Sequence, residues 1–314
     1  MALLIGLDEA GYGPNLGPLV IAATVWKVPG DPRRFDPWSA FDGVVSDRHD
    51  ALGRTVHISD SKVVHSSSAG IAAVERSATA ILRLAERCQD SLFTLWDDLT
   101  GSNGRSDCGE PWYCDDDLPL PLADHADDAF EVIDRWSDCC TAKRCRLVGV
   151  GCEIVPARRF NAAVHAAGSK GRVLSETTLG LLRRFWNPDG ERALVLCDKH
   201  GGRDYYADML ADVFPDEMPL RLAESRSLSR YRLGTGEIRF QARSEEHLPV
   251  AAASLIAKYL REACMDAFNR YWLARRPELR PTRGYPVDAG RFLAAIEADA
   301  TALGLDRQNY WRSR

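Results

Sequence analysis

The sequence predicts an α/β protein, because short apolar segments typical of buried strands alternate with longer segments of helical spacing. The first strand is expected at Leu3–Leu7, and a second at Pro18–Trp26 follows closely enough to form a hairpin with it. Further strands are expected at Leu147–Ile154 and Ala193–Cys197. These four segments predict a central sheet.

Three segments predict helices that would pack against this sheet. Ala69–Arg87 is rich in alanine, and Arg158–Phe185 has helical spacing that Gly168–Gly171 is expected to interrupt. The strongest helix is predicted at Val250–Trp272, where Pro249 is well placed at a first helical position.

Composition indicates a folded cytoplasmic protein. The chain has 314 residues, 45% of them hydrophobic and 27% charged, which is enough for a substantial core, and we expect one catalytic domain over residues 1–314. No apolar run is long enough to cross a bilayer, and the amino terminus lacks the features of a signal peptide. Nine cysteines, an odd number, fit reduced thiols better than a disulfide framework.

Charge is distributed unevenly along the chain. The net charge of −5 and the pI near 5.9 would by themselves argue against a nucleic-acid binder. However, Leu95–Asp134 carries about a dozen acidic residues against the lone Arg105, whereas the chain after Pro219 has an excess of about six positive charges. The acidic region has little periodicity, so we predict a surface insertion at about 97–145. A helical extension is predicted at about 266–314, and its final tract mixes basic and aromatic residues, which suits either nucleic-acid binding or packing onto the domain.

Two adjacent carboxylates, Asp8 and Glu9, follow the first predicted strand and precede a glycine-rich turn, Gly11–Gly13. Open α/β sheets bind ligands at the carboxyl ends of their strands. Neighbouring carboxylates repel each other unless a cation neutralises them, and a set of oxygen ligands suits Mg²⁺ or Mn²⁺. The backbone N–H groups of the turn suit a phosphate.

Further acids follow two other segments. Asp198 ends a predicted strand, and Glu245 and Glu246 lie just before the long helix. Each has an ordinary explanation when taken singly, as a turn cap or as a complement to the helix dipole. A cluster of carboxylates without histidine, beside a phosphate-binding turn, instead suits two-metal phosphodiester chemistry.

Five motifs in chain order resemble the ribonuclease HII family (type 2 ribonuclease H), of which the chain looks like a divergent member. They span residues 3 to 286, interrupted mainly by the acidic region. The motifs are DEAGYGPNLGPLVIAA from Asp8, SDSK at Ser59–Lys62, the strand-ending Asp198, AAASLIAKYLRE at Ala251–Glu262, and GYP at Gly284–Pro286.

The resemblance implies an RNase H-like fold, a mixed central sheet flanked by helices. It also implies metal-dependent cleavage of RNA in RNA/DNA hybrids or at ribonucleotides embedded in duplex DNA, by a monomer that does not act on membranes. Recognition of RNA depends on the 2′-hydroxyl, for which backbone groups near the turn are suited. The implied metal ligands are Asp8, Glu9 and Asp198, and the implied substrate contacts are Gly11, Tyr12, Gly13, Lys62, Ser254, Lys258 and Tyr285.

Two departures from the family pattern bear on activity. Tyr12 stands where the family has an arginine, which removes a positive charge from the turn. The family's fourth acid is an aspartate, and counting back from Ser254 gives Ser244, whereas counting back from Pro249 gives Glu245. We expect Glu245, because the metal needs a carboxylate, with Glu246 or no fourth acid as alternatives. A catalytically impaired nucleic-acid-binding protein is the alternative function.

Overall fold

A computed structural model describes residues 1–50, 52–66, 69–87, 89–101, 105, 109–123 and 130–313. The strands in these residues are β1 (Ala2–Ala10), β2 (Leu19–Val28), β3 (Val45–Ser46), β4 (Val56–His57), β5 (Arg146–Val155), β6 (Ala193–Asp198), β7 (Leu220–Glu224), β8 (Leu228–Leu233) and β9 (Gly236–Gln241). The helices are α1 (Pro37–Ala40), α2 (Ser61–His65), α3 (Ile71–Leu84), α4 (Leu92–Thr100), α5 (Phe130–Ala142), α6 (Ala157–Ala167), α7 (Lys170–Phe185), α8 (Ala207–Val213), α9 (Leu248–Leu273) and α10 (Pro286–Ala302). Short 3₁₀ turns lie at Pro111–Tyr113, Ser244–Glu246 and Arg307–Asn309.

Seven strands form one mixed sheet in the order β5-β2-β1-β6-β9-β8-β7. The three central strands, β1, β6 and β9, are parallel, and the outer strands pair antiparallel. β1 and β2 form the expected hairpin, with Ala10 opposite Val20. The expected α/β class, with a mixed central sheet and flanking helices, is confirmed.

The two faces of the sheet carry separate hydrophobic cores. In β1, Leu4 belongs to the core on the side of α9, whereas Leu3 and Ile5 belong to the core on the side of α7 and α8. This division follows from the alternation of side chains along a strand. The same rule assigns the polar residues at the strand ends to one face or the other.

The start of α9 is held tightly against the sheet. A Cβ atom at Gly6 of β1 would lie 2.2 Å from the carbonyl carbon of Pro249, so only glycine allows this approach. Thr24 of β2 donates a hydrogen bond from its Oγ1 to the Pro249 oxygen at 2.8 Å. Both contacts fix the first turn of α9 and therefore the segment that precedes it.

The acidic region differs from a simple surface insertion. The described part of the predicted insertion at about 97–145 includes the end of α4, the 3₁₀ turn Pro111–Tyr113 and α5, and the side chains of Trp112, Tyr113 and Trp136 are buried in the core. A few large aromatic residues anchor this region, although acidic and small residues dominate its composition. Residues 102–104, 106–108 and 124–129 lie outside the described part of the chain.

Helices form the carboxyl-terminal part, as expected, although the expected start near 266 lies inside α9. The segment after α10 packs onto the domain, because Tyr310 and Arg312 are buried. The helical break expected near Gly168 is present between α6 and α7, where Gly168 has a φ of +76°. The seven cysteines in the described ranges are free thiols. None of the described helices is long and apolar enough to span a membrane.

Candidate metal and nucleic-acid site

Carboxylates from three segments meet at one edge of the sheet. Because β1, β6 and β9 are parallel neighbours, their carboxyl ends lie at the same edge. Asp8 lies near the end of β1, Asp198 ends β6, and Glu245 lies in the 3₁₀ turn that follows β9. One oxygen of each carboxylate lies within 4.8 Å of the others. The three side chains are therefore close enough to share a cation.

Strand alternation determines which acids face each other. Leu4 of β1 and Leu194 and Leu196 of β6 lie in the core on the α9 side, so the even-numbered Asp8 and Asp198 face that side too. Glu9 has the opposite parity and is outside the three-oxygen group. It still lies close enough for the charge of Asp198 to raise its pKa.

The cluster resists ionisation in the absence of a cation. Burial, reinforced by the charge of Glu9, raises the pKa of Asp8 well above its ordinary value. Burial and the charge of Asp198 raise the pKa of Glu9 to about 7. Burial also raises the pKa values of Asp198 and Glu245. A bound cation would stabilise all four charged forms at once.

The donor set fits a hard divalent cation. Asp198 Oδ1 is buried and has no hydrogen-bond partner among the residues that the structure describes. Buried polar atoms are nearly always paired, so this oxygen has the properties of a free ligand position. The group contains only carboxylate oxygens, without histidine or thiol, which suits Mg²⁺ or Mn²⁺ better than zinc.

Of the two candidates for the fourth acid, Glu245 and Glu246, it is Glu245 that lies with Asp8 and Asp198. Its neighbour Glu246 instead lines a cavity of about 690 Å³ that Glu245 also borders. Ser244 is buried and has no carboxylate to offer. The Glu246 carbonyl accepts a hydrogen bond from Trp38 Nε1 at 2.8 Å, which holds the 3₁₀ turn in place.

Lys62 supplies a positive charge beside the acids. Burial lowers the pKa of its ammonium group, but the charges of Asp60 and Glu245 more than offset this effect, so the pKa rises. Asp60 caps α2, because its Oδ1 accepts a hydrogen bond from the Lys62 backbone N–H at 2.9 Å. Sequence reasoning did not select Asp60, although an aspartate before a helix start is a common N-cap signal.

The predicted contacts on α9 have different surroundings. Ser254 lies in the acidic cluster, where its hydroxyl hydrogen bond lowers the pKa of Asp8. Lys258, one turn further along, donates to Glu262 Oε1 at 2.6 Å. Arg261 and Arg283 also pair with the buried Glu262. Lys258 therefore belongs to an ion-pair network rather than standing free.

The glycine-rich turn presents backbone donors. Gly11 has a φ of +90°, and a Cβ atom there would lie 2.5 Å from the Pro18 oxygen, so the conformation requires glycine. A Cβ atom at Gly13 would meet nothing within 4 Å, which leaves open space beside that residue. Within the described residues, the backbone N–H groups of Gly11, Tyr12 and Gly13 have no acceptor. They are available to a ligand.

Positive charges from other elements surround Tyr12. Lys170 Nζ, at the start of α7, lies 5.3 Å from the centroid of the Tyr12 ring. Burial and the charge of Glu9 raise the pKa of Tyr12, and the charge of Arg203 opposes them. The ion pairs of the neighbouring residues in the described part of the chain join Arg172 to Glu176 and Lys199 to Asp204, and include neither Lys170 nor Arg203. They provide positive charge next to a turn that lacks an arginine of its own.

Tyr285 lies beside the same turn. The carbonyl of Gly284 accepts hydrogen bonds from the N–H groups of Asn15 and Leu16, at 2.8 and 3.3 Å. Tyr285 is 52% exposed, and the Arg261 guanidinium lies 5.8 Å from the centroid of its ring. An exposed aromatic ring therefore flanks the turn on the side of α10.

The solved structures that match this chain include type 2 ribonucleases H, the family that the motifs resemble. Ribonuclease H2 from Pyrococcus horikoshii OT3 matches with 14% identity and a TM-score of 0.48, over 98% of this chain and 92% of that chain. RNase HII from Archaeoglobus fulgidus, solved in complex with PCNA, matches with 14% identity and a TM-score of 0.43, over 99% and 94%. Bst-RNase HIII in complex with Mn²⁺ matches with 16% identity and a TM-score of 0.45, over 99% of this chain and 66% of that chain.

Neither a protein-family model nor a curated protein matches the sequence.

Proposed function

We propose that this protein is a metal-dependent endoribonuclease that hydrolyses RNA phosphodiesters in RNA/DNA hybrids or at ribonucleotides embedded in duplex DNA. The observation that carries the proposal is the group formed by Asp8, Asp198 and Glu245, whose oxygens lie within 4.8 Å of one another at one sheet edge. The motifs that resemble ribonuclease HII support the choice of substrate.

The acids would hold one or two divalent ions, Mg²⁺ or Mn²⁺, with Glu9 close by as a further ligand. When bound, such ions activate a water and stabilise the charge on the leaving oxygen of a phosphodiester. The unpaired Oδ1 of Asp198 is available as a ligand without breaking an existing hydrogen bond. Ser254 favours the charged form of Asp8, which is the form that binds a cation.

The remaining residues of the site would position the nucleic acid. The N–H groups of Gly11, Tyr12 and Gly13 suit the sugar and phosphate oxygens of the target ribonucleotide. Lys62 would contact the phosphate nearest the acids, and a base or sugar would stack on the exposed Tyr285. Because contacts to backbone atoms near the 2′-hydroxyl distinguish RNA from DNA, the turn is the proposed source of specificity.

A cleavage assay tests this proposal directly. The purified protein is incubated with a DNA duplex carrying one ribonucleotide, an RNA/DNA hybrid and an all-DNA duplex, each with Mg²⁺, Mn²⁺ or chelator. We expect metal-dependent cuts in the ribonucleotide-containing substrates only. Binding of these substrates without any product, at every metal concentration, would instead establish the catalytically impaired nucleic-acid-binding protein.

A matched pair of variants tests the metal site independently of cleavage. Glu245→Gln removes a carboxylate of the three-oxygen group, whereas Glu246→Gln makes the same chemical change one residue away. We expect Mn²⁺ affinity, measured by isothermal titration, to fall by about tenfold or more in Glu245→Gln and in Asp8→Asn, but to be little changed in Glu246→Gln. Equal losses in Glu245→Gln and Glu246→Gln would contradict the assignment of Glu245.

A further inference from the structure

Arg312 reaches from the segment after α10 into the inner side of the glycine-rich turn. Its side chain is 1% exposed. Nε donates to the Pro14 oxygen at 3.1 Å, and Nη2 donates to the oxygens of Pro14 at 2.5 Å, Tyr12 at 3.4 Å and Gly11. A single guanidinium group therefore contacts three carbonyls of one turn.

The backbone around Arg312 is fixed to the same turn. The Arg312 N–H donates to the Asn15 oxygen at 2.8 Å, and Asn15 Nδ2 donates to the Arg312 oxygen at 3.1 Å. The next residue is held from the other side, because the Ser313 N–H donates to Asn161 Oδ1 at 2.8 Å. The guanidinium also lies over the Phe160 ring, 4.6 Å from its centroid. These contacts leave Arg312 little freedom to adopt another position.

The contacts of Arg312 give the glycine-rich turn two chemically different sides. Its carbonyls at residues 11, 12 and 14 are occupied by Arg312, whereas its N–H groups at residues 11 to 13 have no acceptor in the described residues. A tight turn can rotate its peptide groups between alternatives. Because a carbonyl and the following N–H belong to one planar peptide group, fixing the carbonyls of Gly11 and Tyr12 fixes the N–H groups of Tyr12 and Gly13.

We propose that Arg312 is a positioning residue that holds the glycine-rich turn in the conformation that binds the nucleic-acid backbone. This inference rests on the proposed function, because it assumes that the turn contacts the substrate. Arg312 itself contacts no substrate, since its guanidinium lies behind the turn. The segment after α10 is thereby a structural part of the binding site, although it lies about 300 residues from the turn in sequence.

The chemistry of the contact favours arginine over lysine. A guanidinium group has five donors in a planar array and is weakly hydrated, so it can serve several carbonyls at once in a buried position. A lysine ammonium is a compact charge that holds its water more strongly. The hydrogen bonds of the guanidinium go to backbone carbonyls, and the charge of the buried Glu110 also acts on it.

Three variants test the proposal. Arg312→Met removes every donor while keeping an unbranched side chain, and Arg312→Lys keeps the charge but loses the planar array. Arg307→Met is the matched control, because Arg307 lies in the same segment, is exposed, and makes no contact with the turn. Each variant is compared with the wild-type protein by thermal unfolding, so that any loss of folding is seen separately.

The first readout is binding of an RNA/DNA hybrid in the presence of chelator, measured by fluorescence anisotropy. We expect Arg312→Met to weaken binding by about tenfold and Arg312→Lys to have an intermediate effect, as for the loss of charge-assisted hydrogen bonds that fix a binding element. Arg307→Met should bind within about twofold of the wild type, allowing for one lost surface charge. Affinity for Mn²⁺ should be unchanged in all three variants.

The second readout is hydrogen exchange at the amides of Asn15 and Leu16, which are protected by the Gly284 carbonyl. We expect faster exchange in Arg312→Met than in Arg307→Met. Unchanged exchange and unchanged hybrid binding in Arg312→Met would overturn the proposal, as would an equal loss of binding in Arg307→Met. If the wild-type protein binds no nucleic acid, the proposed function fails, and then faster exchange alone would support the positioning role of Arg312 and unchanged exchange would refute it.

Discussion

The hydroxyls of Ser254 of α9 and Ser61 at the start of α2 are hydrogen-bonded to each other, with 3.0 Å between the two oxygens. Both residues are buried. The bond joins two of the motifs by which the sequence resembles ribonuclease HII, and each partner lies next to a functional group. Ser254 acts on Asp8, and Ser61 immediately precedes Lys62. The relative position of the acids and the lysine therefore depends on this contact.

Substituting Ser254 by alanine should weaken metal binding at acidic pH. The Ser254 hydroxyl lowers the pKa of Asp8, so its removal raises that pKa further and leaves less carboxylate available. We expect the pH dependence of Mn²⁺ affinity to move to higher pH, with little change in affinity at alkaline pH. Ser61→Ala is the control, because it breaks the same hydroxyl pair but leaves Ser254 in place. A shift of equal size in both variants would show that the pair, rather than Ser254, controls Asp8.

Substituting Glu9 by glutamine should stabilise the metal-free protein at neutral and alkaline pH. The pKa of Glu9 is raised from 4.5 to about 7 in the folded state, so the folded state binds more protons than the unfolded state between these values. Folding stability therefore falls as the pH rises through this window, and Glu9→Gln removes the loss. We expect a gain of about 1–3 kcal/mol in the free energy of unfolding at pH 8.

The pH dependence of the stability gain in Glu9→Gln is the control for this prediction. The gain should shrink toward zero as the pH falls below 4.5, where Glu9 is protonated in both states. Denaturant unfolding at several pH values measures it, always with chelator present. A gain that is the same at pH 4.5 and pH 8 would indicate a packing effect instead of a charge effect.

Alanine substitutions in the turn should separate folding from binding. Gly11→Ala places a Cβ atom at a positive φ and 2.5 Å from a carbonyl oxygen, so we expect it to lower the free energy of unfolding by about 2 kcal/mol or more. Gly13→Ala adds a methyl group in open space and should leave stability within about 0.5 kcal/mol of the wild type. Because that space lies next to the free N–H groups, Gly13→Ala should still weaken hybrid binding. Wild-type affinity in Gly13→Ala would argue against substrate contact at the turn.

Removing the charge of Lys170 should weaken binding in a salt-dependent way. Lys170 has no ion-pair partner among the described residues and lies beside Tyr12, so its charge is available to a phosphate. We expect Lys170→Met to lower hybrid affinity and to reduce the slope of log K against log[salt] by about 1. Lys27→Met is the control, because Lys27 pairs with Glu191 at 3.2 Å and lies at the opposite edge of the sheet. An unchanged salt slope in Lys170→Met would exclude a phosphate contact there.

The sequence was sufficient to predict β1, β6 and α9, which carry Asp8, Asp198 and Ser254, but not β9, which leads to Glu245. The apolar runs before Asp8 and Asp198 are short and bounded by turn residues, so their identity as strands did not depend on tertiary context. Because β1 and β6 are parallel neighbours, their carboxyl ends lie at the same edge of the sheet. The alternation rule also separates Asp8 from Glu9, although the two carboxylates are adjacent in sequence.

Other parts of the site depend on contacts that no local pattern records. Arg312 is one arginine among many in a basic segment, and its partners are carbonyls about 300 residues away. Lys170 and Arg203 flank Tyr12 only because the start of α7 and the loop after β6 lie together at the sheet edge. The burial of Trp112 and Trp136 in an acidic region likewise depends on the packing of distant helices.

The parallel arrangement of β1, β6 and β9 has a consequence for folding kinetics. These strands are separated by about 180 and 40 residues, and non-local parallel pairing is a slow step in folding. A slip of one residue in β6 would turn Asp198 to the opposite face and place Cys197 beside Asp8. Recovery of Mn²⁺ binding during refolding would therefore report the moment at which the central strands reach their native register.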